Sequence, residues 1–512
     1  MSGIPLLCPL LFRNPFGIAI GIALFASIPP FPLFIAKWLL LLDILNIGYN
    51  TIAIIILMVS LLSLIAYLNL SIKYSIFTLF HCLYIGNSIA LNSTILNILS
   101  LSFTLLIAFL IPILILIDLE FMVPILFIES LLMSAFIVLD LFIFSICFEA
   151  SLIPLFYLMI RYSGGWARRL NAALLLIIYT IAGSLLMLLG IAILYIEAGT
   201  TYLLALITIP ILVVGLDAPS YQIALFSAFF IAFSIKIPIV PFHLWLPEAH
   251  VEAPTSGSIL LASLFLKFGL YGIIRFAIPL FIESFIYFLP IIITIALIGI
   301  VYGLVALRQV DLKKIIAYSS IAHLNTALLG IFTNNLLALS GSIHIALAHG
   351  LISGGLFYSI GLLYDRYHSR LLRYYRGLLS HMPLYSVLFL FFILANLSFP
   401  LFTPLLAELA IIIAYPSILQ LLIISLNGSY SIWLYNRLFF GTTSPSLTSF
   451  NDISRFEFYT LFIILLALFS LWTLYLYFSS LLISLLPILN FLISLYPLFL
   501  FPIPLIFTTP SL

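Results

Sequence analysis

The sequence predicts an all-α integral membrane protein of about 14 transmembrane helices, built as two inverted five-helix repeats with discontinuous helices. Three observations predict it. First, 65% of the 512 residues are hydrophobic and only 7% are charged, with a mean hydropathy of +1.35; a soluble domain carries about 25% charge. Second, apolar runs longer than the roughly 20 residues needed to cross about 30 Å of hydrocarbon recur along the chain, without the alternation of barrel strands. Third, ionisable residues sit deep inside several of those runs, beside prolines and at matched intervals. The composition also excludes other classes. A net charge of +2 is too small to suggest a nucleic-acid partner. Cys8, Cys82 and Cys147 have no CxxC or metal-ligand spacing, so neither a disulfide framework nor an iron–sulfur site is expected. Met1 to Pro32 holds two broken apolar runs and no small-residue cleavage site, so no cleavable signal is expected.

Taken in order, spans are expected near 17–40, 51–70, 95–117, 121–141, 142–160, 170–196, 221–241, 256–280, 285–306, 313–333, 336–363, 384–414, 416–437 and 457–480. Residues 1–120 form an N-terminal group, with 71–94 as a polar connector carrying Lys73 and His81. Thr201 to Leu216 is short for a span and is placed at the interface or in loops. The segment 441–512 holds the last helix and a tail, in which Leu482 to Phe507 is either a fifteenth helix or irregular; Pro487, Pro497, Pro502 and Pro504 make it a poor straight helix. Charge supports this order. Thirteen of the lysines and arginines border connections after odd-numbered spans, and only Arg13, Lys73 and Arg275 border the others. The positive-inside rule then puts the N-terminus outside, and makes the basic runs over 161–169 and 366–376 orientation signals on the inner face.

The repeats are read from spacing. Glu149 in the fifth span is followed 87 residues later by Lys236, in a span broken by Pro238 and Pro241. His323 in the tenth span is followed 85 residues later by Glu408, in a span broken by Pro400 and Pro404. Residues 121–283 and 284–440 would then be two five-helix units, and an odd number of helices forces the second to be inverted.

An ionisable residue at the centre of a span costs roughly 2.5–3.5 kcal/mol on insertion scales, so such residues are seldom kept for packing. Lys236 lies beside a proline break, where free carbonyls attract polar partners, with Glu149 as its expected counter-ion. A lysine held between desolvation and a nearby carboxylate changes charge when the partner moves, which suits a proton carrier. Lys267 lies about eleven residues into its helix, near mid-membrane, too deep to snorkel. Glu408 is again deep and beside broken helix. His323 and His349 are of the type suited to relaying protons between Lys267 and Glu408, while His344 is off the face of His349 and reads as a core residue. The bland readings are snorkelling for Lys236, capping for Glu149 and a buried neutral carboxyl for Glu408. His243, Glu248, His250 and Glu252 lack the HExxH spacing of a zinc site and are read as local structure at a water-lined entrance. No nucleotide, flavin or haem motif is present, so any energy source lies in partner subunits or an ion gradient.

The stretch KIPIVPFHLWLPEAHVEAPTSGSILLASLFLKFGLYGIIRF, with FEASLIPLFYLMIRYSGG, AYSSIAHLNTALLGIF, AHGLISGGLFYSIGLLYDRYHSR and SFPLFTPLLAELA in the same order, closely resembles the antiporter-like membrane subunits of respiratory complex I. The resemblance runs from about Ile95 to Ser480. It implies a fourteen-helix subunit with a proton route along a mid-membrane polar axis. Glu149, Lys236, Lys267, His323, His349 and Glu408 fall on that axis, and Pro238, Pro241, Pro400 and Pro404 on its helix breaks. It implies no cofactor on this chain, with NAD, FMN, iron–sulfur clusters and ubiquinone on partner subunits. The implied partners are other complex I membrane subunits, with antiporter-like subunits 2 and 5 on either side, accessory subunits, and phospholipids such as cardiolipin. The skewed use of Phe (46 residues), Ile and Leu points to organellar coding and hence to the mitochondrial inner membrane, with the N-terminus towards the intermembrane space. The alternative is a subunit of a multi-subunit sodium–proton antiporter, which shares these lysines. A purely structural membrane spacer leaves four deep ionisable groups unexplained.

Overall fold

A computed structural model describes residues 88–161, 166–208, 219–400, 402–415, 418–443 and 452–471. The described chain is helical throughout, as it must be where no water is available to satisfy backbone groups. The helices are α1 (Ser88–Ile117), α2 (Met122–Ile137), α3 (Leu141–Ala150), α4 (Leu152–Arg161), α5 (Trp166–Ala198), α6 (Leu203–Thr208), α7 (Pro219–Lys236) and α8 (Trp245–Glu252). They continue with α9 (Thr255–Leu280), α10 (Ile282–Tyr302), α11 (Leu312–Ile331), α12 (Leu336–Tyr367), α13 (Pro383–Asn396), α14 (Thr403–Ala414) and α15 (Ile418–Phe439). A last helix, α16, covers 455–471.

Among the described residues, seven helical segments are long and apolar enough to cross a membrane, and the half-helices α7, α13 and α14 are shorter apolar pieces. Large apolar side chains face outwards on the peripheral helices, for example Ile178, Leu189 and Ile196 of α5. That is the reverse of a soluble protein and suits contact with lipid. The chain divides into two compact units, Met1–Tyr157 and Leu158–Leu512. In the first, α2 and α3 form a tight hairpin. Asp140 caps α3 by accepting hydrogen bonds from the Phe142 and Ile143 amides at 2.8 and 3.2 Å. In the second, α9 is the central element: the membrane-length window within it is 100% buried, against 39% for α5.

Most span boundaries lie within a few residues of those expected. The third starts earlier, since residues 88–94, assigned to the polar connector, are already helical in α1. Within the stretch placed at the interface or in loops, Leu203–Thr208 is a short helix. The seventh span stops at Lys236 because Pro238 offers no donor to continue it. The twelfth is two half-helices with Pro400 in the gap. Pro404 is not a breaker but occupies the first turn of α14, where its missing N–H is harmless. The spans expected at 17–40 and 51–70, and the segment 482–507, lie outside the described residues, as do Cys8 and Cys82.

Candidate functional site

The proline break after α7 is the first element of the site. Pro238 cannot donate to the Ser234 carbonyl, which accepts from the Ile239 amide at 3.0 Å instead. The Ile235 carbonyl, displaced in turn, accepts from the Trp245 indole nitrogen at 3.0 Å. Both of these carbonyls are thus bonded, and the break leaves Lys236 as the last helical residue of α7, buried, with its ammonium 5.6 Å from the centre of the Phe265 ring on α9. This is a cation–π contact between the helices that carry the two lysines.

Helix α9 is not a regular α-helix. Two π-helical segments, Leu261–Phe265 and Ile273–Ala277, flank a short α-helical stretch that begins at Lys267. In an i→i+5 turn some carbonyls lose their usual partner. The Lys267 ammonium exploits this by donating to the carbonyl of Ala262, five residues back, at 2.6 Å. Two glycines seat α9 closely on α7: a Cβ on Gly269 would lie 2.7 Å from the Phe233 carbonyl oxygen, and one on Gly272 only 2.2 Å from the Phe233 ring. No larger residue fits there without separating the helices.

From Lys267 a buried line of ionisable groups leads away. Lys267 Nζ lies 2.9 Å from His349 Nδ1 on α12. The His349 and His323 ring centroids are 5.9 Å apart, and His323 Nδ1 is 3.6 Å from Glu408 Oε1 on α14. All four residues are buried. Chemistry fixes one tautomer. His323 Nε2 lies 3.1 Å from the Asn396 carbonyl oxygen at the broken end of α13. A carbonyl only accepts, so Nε2 carries hydrogen, and a neutral His323 turns the lone pair of Nδ1 towards Glu408. A proton on either partner then completes that contact. The Lys267–His349 contact is likewise competent in two states: an ammonium donates to neutral Nδ1, or a neutral amine accepts from Nδ1–H.

Four of the six residues singled out from the sequence are therefore brought into one chain of contacts, Lys267, His349, His323 and Glu408. Lys236 stands at the adjoining helix break. Glu149 lies in the first compact unit, half-buried, with Oε1 sequestered and without a hydrogen-bond partner. Glu408 sits in the second turn of α14 rather than in the break itself. His344 is off the line: its Nδ1 bonds its own helix at the Ser340 carbonyl, 2.7 Å away. Among the described residues no cluster of His, Cys, Asp and Glu is arranged to hold a metal ion.

Some buried polar groups were not found from the sequence. Tyr430 of α15 bonds Ser319 and Asn396 beside Glu408. Lys313, counted as an orientation charge, is buried, and its ammonium donates to the Ala253 carbonyl at 2.7 Å and the Ser258 hydroxyl at 3.3 Å. Nearby, Lys314 pairs with Glu248 at 2.6 Å and Arg370 with Glu252 at 3.9 Å. Arg370 also donates to the Val251 carbonyl. Three cations thus hold α8 at this cation-rich end. Glu129, on the buried stripe of α2, was missed too, although ILFIESLLMSAF carries the same signal as Lys267: a charge in mid-run.

Comparison with known proteins follows the same residues. Residues 138–433 match the family described as NADH:quinone oxidoreductase/Mrp antiporter, TM. The chain is 44% identical over 375 residues to NADH-ubiquinone oxidoreductase chain 4 of Marchantia polymorpha, covering 70% of this chain and 74% of that one. It is 45% identical over 353 residues to the protein of the same name from Chondrus crispus, covering 67% and 70%. Among solved structures, a chain of respiratory complex I from Thermus thermophilus with bound NADH superposes with a TM-score of 0.66 at 28% identity, covering 74% of this chain and 80% of that one. A chain of the Mrp complex from Dietzia sp. DQ12-45-1b shares the fold, with a TM-score of 0.61 at 21% identity and coverage of 75% and 78%.

Proposed function

The chain belongs to the family of NADH:quinone oxidoreductase and Mrp antiporter transmembrane subunits, and from that premise we propose that it is a chain-4-type membrane-arm subunit of respiratory complex I that translocates protons across the mitochondrial inner membrane. The observation that carries this reading is the buried line Lys267–His349–His323–Glu408, whose neighbours lie 2.9 Å, 5.9 Å (between ring centroids) and 3.6 Å apart. Four ionisable side chains in contact, sealed from lipid, are expensive for packing and suited to passing a proton. The NAD, FMN, iron–sulfur clusters and ubiquinone of the redox reaction sit on partner subunits, and this chain contributes only proton transfer. Its partners are other complex I membrane subunits, with antiporter-like subunits 2 and 5 as neighbours.

The residues divide the work. Glu149 and Lys236 each take up and give up protons, and a change in the local field at the helix break alters how firmly Lys236 holds its own. Lys267 releases a proton to His349 across their 2.9 Å contact. His323, with Nε2–H anchored on the Asn396 carbonyl, takes one at Nδ1 and delivers it to Glu408. Each step breaks one N–H bond and forms one N–H or O–H bond, so no charge is created. The cation-rich end is the matrix face.

Lys267→Ala in the assembled complex tests this. We expect NADH-driven proton pumping in proteoliposomes to fall to less than about a tenth, as on removing a general acid–base group, while native electrophoresis shows a complete complex. Full pumping by a complete complex would remove the role given to Lys267. Co-isolation with flavin and iron–sulfur subunits separates this reading from a sodium–proton antiporter; sodium-dependent transport in their absence would overturn it.

A further inference from the structure

The contact between His323 and Glu408 depends on how the His323 ring is aimed, because Glu408 Oε2 is buried without a hydrogen-bond partner to steady the carboxyl group. The ring is aimed by Nε2, which donates to the Asn396 carbonyl 3.1 Å away. That carbonyl stands at a vulnerable point. Asn396 is the last residue of α13, and two residues later Ser398 has a φ of +58°, a left-handed conformation that serine seldom adopts. The helix alone does not hold Asn396 there. Tyr430 of α15, 2% exposed, bonds the side chains of both Asn396 and Ser319.

The hydrogens of this network can be placed. Ser319 Oγ donates to the Ile316 carbonyl at 2.8 Å, so it accepts from the Tyr430 hydroxyl. The Tyr430 oxygen then accepts from the Asn396 side-chain amide. Donation therefore runs one way, from Asn396 through Tyr430 to Ser319. Ser319 lies four residues before His323, on the same face of α11. The end of α13 is thus clipped to that face twice, once by His323 and once through Tyr430.

Tyr430 also stands where Lys267 stands in the other repeat. The two helix breaks are bonded alike. The Ile237 and Ile239 amides donate to the Phe233 and Ser234 carbonyls, and the Leu397 and Phe399 amides to the Ile393 and Leu394 carbonyls, all at 2.9 to 3.0 Å. Each break is followed by a half-helix, α8 or α14, and then by α9 or α15. Lys267 is twelve residues past Thr255, the first residue of α9, and Tyr430 is twelve past Ile418, the first of α15. The position that carries an ammonium in one repeat carries a phenol in the other.

We propose that Tyr430 is a positioning residue for proton transfer to Glu408: through Asn396 it fixes His323 with hydrogen on Nε2 and the lone pair of Nδ1 towards the carboxyl group. The proposal rests on the proton-translocation reading above. In the step it serves, neutral His323 gains an N–H bond at Nδ1, and that bond breaks as an O–H bond forms on Glu408. Tyr430 keeps its own proton throughout. Without its hydroxyl Asn396 is released and its carbonyl turns away. His323 is then free to carry hydrogen on Nδ1, the atom that must stay open to receive the proton, since the bond made by one ring nitrogen sets the state of the other.

The test uses the whole complex carrying Tyr430→Phe, which keeps the ring and removes only the hydroxyl. Ser319→Ala, which removes the acceptor of that hydroxyl, is the second variant. Proton pumping and NADH oxidation are measured in proteoliposomes in H2O and in D2O. We expect Tyr430→Phe to assemble and to pump at less than about a third of the wild-type rate, with Ser319→Ala between the two. The ratio of the rates in H2O and D2O should rise in both variants, because a misaligned acceptor makes proton transfer the slow step. A purely structural lesion reduces the number of working complexes and leaves that ratio unchanged. A lower rate with the wild-type ratio, or full pumping by Tyr430→Phe, overturns the proposal. If Tyr430→Phe does not assemble, Ser319→Ala decides on the same two readings. If both variants pump normally while Lys267→Ala does not, the clip fails and the line stands; if none of the three substitutions matters, the line itself fails.

Discussion

The 2.9 Å contact between Lys267 and His349 demands a particular kind of lysine. An arginine would keep the positive charge and a hydrogen bond, but its guanidinium does not give up a proton in proteins. We therefore expect Lys267→Arg to assemble and yet pump at less than about a tenth of the wild-type rate. Pumping near wild type would mean that only the charge of Lys267 matters. Glu408 sets a similar condition at the other end. Glu408→Gln preserves shape, and its amide can still donate to His323 Nδ1, but it cannot take up and release a proton, so pumping should fall while NADH oxidation by a complete complex remains measurable. At this scale the sequence was informative for a physical reason. Insertion cost singles out residues such as Lys267 and Glu408, which stand deep in apolar runs. It is silent on Lys313 and His250, which lie near the ends of runs. There burial is decided by packing between segments some 60 residues apart, as in the bond from Lys313 to Ala253.

Helix breaks were legible for the same kind of reason. Pro238 and Pro400 remove donors, and α7 and α13 end within a few residues of them. The π-helical segments of α9 were not, because LASLF and IIRFA have no composition that sets them apart from ordinary helix. The close seating of α9 on α7 makes a sharper claim about stability. Gly269→Val would push a Cβ to 2.7 Å from the Phe233 carbonyl, a backbone atom that cannot rotate away. Overpacking of this kind costs about 1–3 kcal/mol. We expect less assembled complex on native gels and a lower melting temperature of the membrane arm. An unchanged melting temperature would show that the two helices separate at little cost.

Across the second compact unit, segments distant in sequence are tied by charged groups. Arg366, in the last turn of α12, grips both carboxylate oxygens of Glu457 at the start of α16, at 3.2 and 2.6 Å. Asp452 caps α13 by accepting from the Leu384 and Tyr385 amides at 2.7 and 3.2 Å. Replacing Arg366 leaves the Glu457 carboxylate partly buried without its cation, held by the Ser454 amide at 2.7 Å. Arg366→Ala should therefore destabilise this end by about 2 kcal/mol. The check is protease sensitivity of the C-terminal segment together with the yield of complete complex. None of these ties could be read from the sequence, where Arg366 and Glu457 are 91 positions apart and the basic runs already had an adequate explanation as orientation signals.

The π-helical turn at Leu261–Phe265 has one further consequence, which concerns length rather than charge. An i→i+5 turn holds one residue more than the i→i+4 turn it replaces. Deleting a single residue there lets the turn relax to ordinary helix while the stretches on either side keep their angular phase. Most deletions inside a packed helix rotate everything beyond them by about 100° and ruin the packing. A deletion of Leu264 should be tolerated by the fold, with α9 still seated on α7. It would nonetheless close the helical bond that the Ala262 carbonyl now leaves to Lys267. The variant should assemble in normal amount and pump poorly, a phenotype that deletions in the regular α-helical stretches of α9 are not expected to give.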